Sequence, residues 1–183
     1  MTRIVIFILS AILILTQLVF AEENILTCET LHRVKDGKKE TMVKYIFKYA
    51  LDLNKKYLRS IDSDSRTYLI ILENELLQYE LSPMIGGGFV ANTKRLNRLN
   101  GIKTIYINII SVDEWKILKK SLDSINSKIS GYKKNLDYGD EIYEVSLKGT
   151  LEQEMNKFKI IDEVAKKGNN IVFWECKKSK RII

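Results

Sequence analysis

The chain has 183 residues, with 30 Lys plus Arg against 23 Asp plus Glu, two Cys, one His and one Pro. That length makes one domain, able to bury roughly 68–70% of its unfolded surface. Hydrophobic residues at 45% exclude wholesale disorder, one Pro and nine Gly exclude collagen-like or Pro-rich architecture, and one His with two Cys excludes a His-rich metal site or a multi-Cys zinc module.

Arg3 precedes an apolar run from Ile4 to Phe20, broken only by Ser10, Thr16 and Gln17. Val19-Phe20-Ala21 then leads into Glu22-Glu23. This is the layout of a cleavable secretory signal over residues 1–21, cut near Ala21. The run approaches the shortest length that anchors in a bilayer, but Thr16, Gln17 and the small residue before Glu22 favour removal. Cys28 lies past two glutamates and follows Thr27, which does not suit lipidation. No second apolar run of spanning length follows, so no membrane span is expected in the mature chain. The expectation is a soluble periplasmic or secreted protein with one α+β domain over residues 22–183.

Export bears on the cysteines. In an oxidising compartment Cys28 and Cys176 are expected to form a disulfide tying the two ends of the mature chain. The competing reading makes Cys28 a nucleophile with His32 as its base. The formal charge of +7, rich in Lys, is what an AT-rich coding sequence yields without selection for a basic surface. Its functional alternative is attraction to anionic envelope surfaces, and the same holds for the basic tail Lys177–Arg181.

From Glu22 to Ile110 the pattern is β. Ile25–Val34 leads through Lys35-Asp36-Gly37-Lys38, a hairpin signal, into Met42–Leu53. There Val43, Tyr45, Phe47, Tyr49, Leu51 and Leu53 alternate with Lys44, Lys48 and Asp52, the period of a half-buried strand. Tyr57–Ile61, Tyr68–Leu72 and Leu76–Leu81 follow, the last two around Glu73-Asn74-Glu75. Pro83 and Gly86-Gly87-Gly88 mark an irregular loop, Ser82–Asn92. Asn100-Gly101 then joins Thr93–Leu99 to Ile102–Ile110 in a two-residue hairpin.

The period next changes. Ser111 with Glu114 forms a capping box, and Trp115, Leu118, Leu122, Ile125 and Ile129 recur at helical spacing up to Gly131. Glu141–Leu147 reads as strand. Thr150 with Gln153 repeats the capping signature ahead of Leu151, Met155, Phe158, Ile161 and Ala165, and Asn170–Lys177 closes the chain with Val172, Trp174 and Cys176 on one face. The predicted fold is α+β: an antiparallel meander of about eight or nine strands, curled or partly closed, with two amphipathic helices in the C-terminal third.

Catalytic patterns are sparse. Ser130-Gly131-Tyr132-Lys133 places its Ser at the end of a helix, whereas a Ser-x-x-Lys nucleophile opens one. Asp62-Ser63-Asp64 starts like a calcium loop, but Arg66 and Thr67 stand where an oxygen ligand and a Gly belong. Gly86-Gly87-Gly88 has neither Gly-Lys-Ser/Thr nor the spacing of a dinucleotide loop. Glu73 and Glu75 share a turn without further support for a carboxylate pair. The stripe Tyr45, Phe47 and Tyr49 suits core packing or the wall of an apolar cavity, and export argues against nucleic acid.

The leading functional expectation is a non-enzymatic exported binding protein for a small apolar or envelope-derived ligand or a protein partner, with no cofactor, no metal and no assigned ligand-binding residues. A periplasmic inhibitor of a hydrolase such as lysozyme, inserting Ser82–Asn92 into a cleft, is the second. A cell-wall or glycan hydrolase using Asp and Glu carboxylates is the third.

Overall fold

A computed structural model of the chain describes residues 24–63, 66–85, 87–125 and 149–179. The expected leader at 1–21, the end of the first expected helix, the Ser130–Lys133 pattern, the expected strand Glu141–Leu147, Gly86 and the end of the basic tail lie outside the described residues.

Ten strands form one antiparallel sheet. In chain order they are β1 (Asn24–Lys35), β2 (Lys38–Glu40), β3 (Ile46–Asp52), β4 (Tyr57–Ser60), β5 (Arg66–Tyr68), β6 (Ile70–Ile71), β7 (Glu75–Pro83), β8 (Phe89–Asn97), β9 (Ile102–Ile110) and β10 (Asn170–Ser179). Across the sheet the order is β5-β4-β3-β1-β10-β9-β8-β7-β6, with β2 added on β1. The two ends of that order are halves of one stretch of chain. β5 pairs with β4 and β6 pairs with β7, so the segment switches partners at Leu69. The Leu69 amide donates to the Lys56 carbonyl at 2.7 Å, and its buried side chain packs with Leu58 and Leu76. The sheet is thereby curled into a nearly closed barrel.

The α+β expectation therefore holds, with ten strands among the described residues where about eight or nine were expected. The excess comes from the short β2 and from the split at Leu69. The helices among the described residues are α1 (Val112–Ile125) and α2 (Leu151–Lys166). Only α2 lies wholly in the C-terminal third, because the chain enters α1 directly from β9.

Three local expectations need correction. The run Met42–Leu53 is not one strand, since β3 begins only at Ile46. A bulge in β1 between Thr30 and His32 breaks the regular ladder. There the Thr30 hydroxyl donates to the Val43 carbonyl and accepts from the Tyr45 amide, each at 2.9 Å. The β8–β9 connection is longer than two residues: the Gly101 amide reaches the Asn97 carbonyl, and the Asn97 side chain accepts from the Leu99 and Asn100 amides. Ser82–Asn92 is mostly strand, its ends belonging to β7 and β8, so of its described residues only Met84, Ile85, Gly87 and Gly88 lie outside the strands.

Two apolar layers result. Outside the barrel, α1 and α2 cover β7–β9. Trp115, Leu118 and Leu122 join Leu81, Ala91, Ile110 and Ile161 there. Both capping boxes form as expected. Leu151 is exposed, contrary to the predicted stripe, because it occupies the first turn of α2; Glu154 takes the buried place instead. Inside the barrel, Cys28, Val172, Trp174 and Cys176 form a second core with Leu26, Tyr49, Leu96, Ile105 and Ile107 around it. That interior positions the candidate site.

Candidate functional site

β1 and β10 are neighbours, and Cys28 stands directly opposite Cys176. The two are joined by a disulfide of 2.11 Å across 148 residues of sequence, as expected from the sequence. The bond faces the barrel interior, and Trp174 packs in the same cluster. Phe47, opposite Cys28 on the β3 side, places its ring 5.3 Å from that of Trp174.

Lys103 shares this interior. It stands on β9, between Trp174 of β10 and Leu96 of β8, and is only 6% exposed. Period-two alternation puts it on the same face as Ile105 and Ile107, so an aliphatic residue would be the ordinary occupant. Its Nζ lies 4.8 Å from the centre of the Tyr49 ring and 5.8 Å from that of Trp174. No carboxylate among the described residues forms an ion pair with it. Burial, reinforced by the Lys94 ammonium, pushes the amine down to about 7.

Beside Lys103 is a small cavity walled by Leu26, Leu58, Leu69, Leu76 and Leu96 and by Cys28. Gln78 and Lys94 are its other polar neighbours. The centre of a water molecule has about 20 Å³ to move in, room for one water or two. Pockets for small molecules run to roughly 300–1,000 Å³. Gln78 Nε2, which lines this space, and Trp174 Nε1, on the strand beside Lys103, are buried donors with no hydrogen-bond partner in the protein, and Asn92 Oδ1 is a buried acceptor with none. Lys94 is held at the edge by Glu80 at 3.2 Å, and Glu80 also accepts from Asn92 and Ser82. Unpartnered donors on this face thus outnumber the unpartnered acceptor, Asn92 Oδ1.

Sequence reasoning did not single out Lys103 or Gln78. The available signal was a lone Lys at an inward position of an otherwise aliphatic strand face, Lys103-x-Ile105-x-Ile107. His32 does not face Cys28: the bulge turns it outward, where it stacks on Phe173 with centroids 4.7 Å apart. The proposed Cys–His pair is therefore not assembled, and Cys28 is bonded. Glu73 and Glu75 lie at the β6–β7 turn, where the Arg98 guanidinium donates to the Leu72 and Glu73 carbonyls. Asp62 and Ser63 lie in an exposed turn after β4. No cluster of three metal-ligating side chains occurs among the described residues. Of the aromatic stripe, Tyr49 is in the interior, while Tyr45 and Phe47 sit at the rim and are substantially exposed.

A second polar group lies between α2 and the outside of the barrel. The Tyr79 hydroxyl donates to Glu154 at 2.6 Å, and Glu154 pairs with the buried Lys157 at 2.8 Å. Burial and the Glu154 carboxylate both raise the Tyr79 phenol above its ordinary range. Asp162 accepts from Thr93, Arg95 and Lys166. These bonds join α2 to β7 and β8 and clamp the helix to the sheet, although the buried Arg95 Nε has no partner.

No family model matches the chain, and no curated protein or solved structure matches it.

Proposed function

We propose that this is a non-enzymatic binding protein of an extracytoplasmic, oxidising compartment, and that it recognises a protein partner. One observation carries this reading: large apolar side chains crowd the rim around the β1 bulge. Val43 is 71% exposed, Tyr45 50%, Leu31 42% and Phe47 37%. They are neighbours in space, because Val43 and Tyr45 both hydrogen-bond to Thr30, which precedes Leu31. Grouped exposed apolar side chains mark interaction surfaces more often than isolated ones do. The cavity beside Lys103 is too small for an apolar ligand, which favours a protein partner. The disulfide suits the proposed compartment.

The test places a photo-crosslinking residue at Tyr45 and, as a control, at Lys159 on α2, in cells of the native host. A discrete adduct at Tyr45, lost on adding Val43→Asp and absent at Lys159, supports the reading. A purified protein that carries an apolar molecule in native mass spectrometry, with no adduct at Tyr45, overturns it.

A second reading is favoured by Ile85. It lies in the β7–β8 turn, where Met84 and Gly88 hydrogen-bond, and it is fully exposed. An apolar side chain held out on a short turn suits insertion into an enzyme cleft, the mechanism of a hydrolase inhibitor. Slowing of lysozyme at micromolar protein, abolished by Ile85→Asp, is the result this reading requires.

A further inference from the structure

We propose that Lys103 is a modification site: its side-chain nitrogen adds carbon dioxide in the barrel interior to form a carbamate, held by Gln78, Trp174 and Lys94.

Four observations converge on it. The Lys103 amine is buried with no carboxylate to pair with among the described residues, and its contacts are the faces of Tyr49 and Trp174. A small cavity with room for one water or two adjoins it. Gln78 Nε2 and Trp174 Nε1 are buried donors without a protein acceptor. Lys94 lines the same cavity and brings the nearest further positive charge. A carboxylate grown on Nζ supplies the missing acceptor oxygens, which buried donors require, and it replaces an uncompensated ammonium by an anion facing cationic and amide donors.

The chemistry balances without any oxidant or reductant. The uncharged Nζ uses its lone pair to attack the carbon of carbon dioxide, and the N–C bond forms as one C=O π pair moves onto oxygen. One N–H proton leaves to solvent. The reacting species is the neutral amine, which the apolar surroundings of Lys103 favour near neutral pH, as they do not for exposed lysines. The charged groups facing the site are Lys94 and, behind it, Glu80.

The test uses the purified full-length protein equilibrated with carbon-13 bicarbonate at mildly alkaline pH. A carbamate resonance is expected in the carbon-13 spectrum, disappearing in Lys103→Met and on stripping carbon dioxide. Trapping with a triethyloxonium salt before digestion is expected to label the peptide containing Lys103 and not that containing the exposed Lys48. Gln78→Leu and Trp174→Phe, each checked for folding by circular dichroism, are expected to lower occupancy several-fold. No resonance in the folded wild-type protein, labelling spread over surface lysines, or undiminished occupancy in both donor variants overturns the proposal. The result is independent of whether the rim at Tyr45 binds a partner.

Discussion

The Lys103 ammonium lies 4.8 Å from the centre of the Tyr49 ring and 5.8 Å from that of Trp174, inside the barrel. Attraction to the ring faces recovers about 2 kcal/mol or somewhat more for a desolvated cation, which is less than burying a charge costs.

The first prediction follows from the sign of that imbalance. The unfolded chain keeps the Lys103 proton up to about 10.5, whereas the folded chain keeps it only up to about 7. Between these values the unfolded state binds more protons, so stability rises with pH. It is greatest above the unfolded value and falls away as pH drops towards 7. Lys103→Met removes the cost. In buffer free of carbon dioxide it is expected to stabilise the protein by up to about 5 kcal/mol at pH 6, shrinking to below about 1 kcal/mol at pH 10. Urea denaturation midpoints across this range measure it, and a gain that does not vary with pH counts against the assignment.

The second prediction concerns the disulfide. It closes 148 residues, and a loop of that length removes about 5 kcal/mol of chain entropy from the unfolded state. Paired replacement of Cys28 and Cys176 by Ala is expected to lower stability by about that amount, with an added loss from the space left beside Trp174. Denaturation of the oxidised and reduced wild-type protein separates the two contributions. A change below about 1 kcal/mol on reduction contradicts the entropic account.

The third prediction concerns Gly101. It adopts φ +72°, the left-handed region that glycine favours. A Cβ there also collides with the carbonyl oxygen of Cys176, against which the β8–β9 turn is pinned by the Cys176 amide at 2.8 Å. Gly101→Ala is expected to cost about 2–4 kcal/mol, because both the dihedral and the backbone contact oppose it. Gly37→Ala has a positive φ but open space, so it is expected to cost about 1 kcal/mol. Thermal denaturation of the pair tells whether the contact with Cys176 matters.

Much of the fold was legible because local signals agreed with it. Asp36-Gly37 turns where it should, Ser111 and Thr150 open helices, and Val172, Trp174 and Cys176 share a face. The departures have tertiary causes. The β1 bulge takes His32 off the cysteine face and releases Thr41–Tyr45 from strand pairing, and a bulge leaves no sign in an otherwise regular alternation. Leu69 reads in sequence as part of the strand Tyr68–Leu72, yet it is where the chain changes partners to bring the barrel's edges together. Lys103 and Gln78 were missed because a polar residue in a strand reads as outward-facing, and only the whole sheet's register shows that their face points inside. Glu154 and Asp162 were missed similarly, since their partners Tyr79, Thr93 and Arg95 lie on strands far away in sequence.

The last prediction tests the clamp between α2 and the barrel. Asp162 accepts from the buried Thr93 hydroxyl at 2.7 Å, from Arg95 at 2.5 Å and from Lys166 at 2.6 Å. Burial by itself raises the carboxyl, but the donors, Arg95 first, then Lys166 and Thr93, outweigh it and hold Asp162 below its ordinary value. Over the interval between its lowered folded value and about 3.9, the unfolded chain takes up a proton that the folded chain does not. The stabilisation is therefore complete above that interval and is lost as pH falls through it. Asp162→Asn leaves the Arg95 guanidinium, stacked on Phe158 with 5.0 Å to the ring centre, without its counter-charge. The expected cost at pH 7 is about 3 kcal/mol, together with a flatter loss of stability below pH 4 than in the wild type. Lys166→Ala removes only the more exposed arm and is expected to cost less than about 1 kcal/mol. Acid and urea titrations of both variants distinguish these outcomes, and equal losses for the two contradict a clamp centred on the buried Asp162–Arg95 pair.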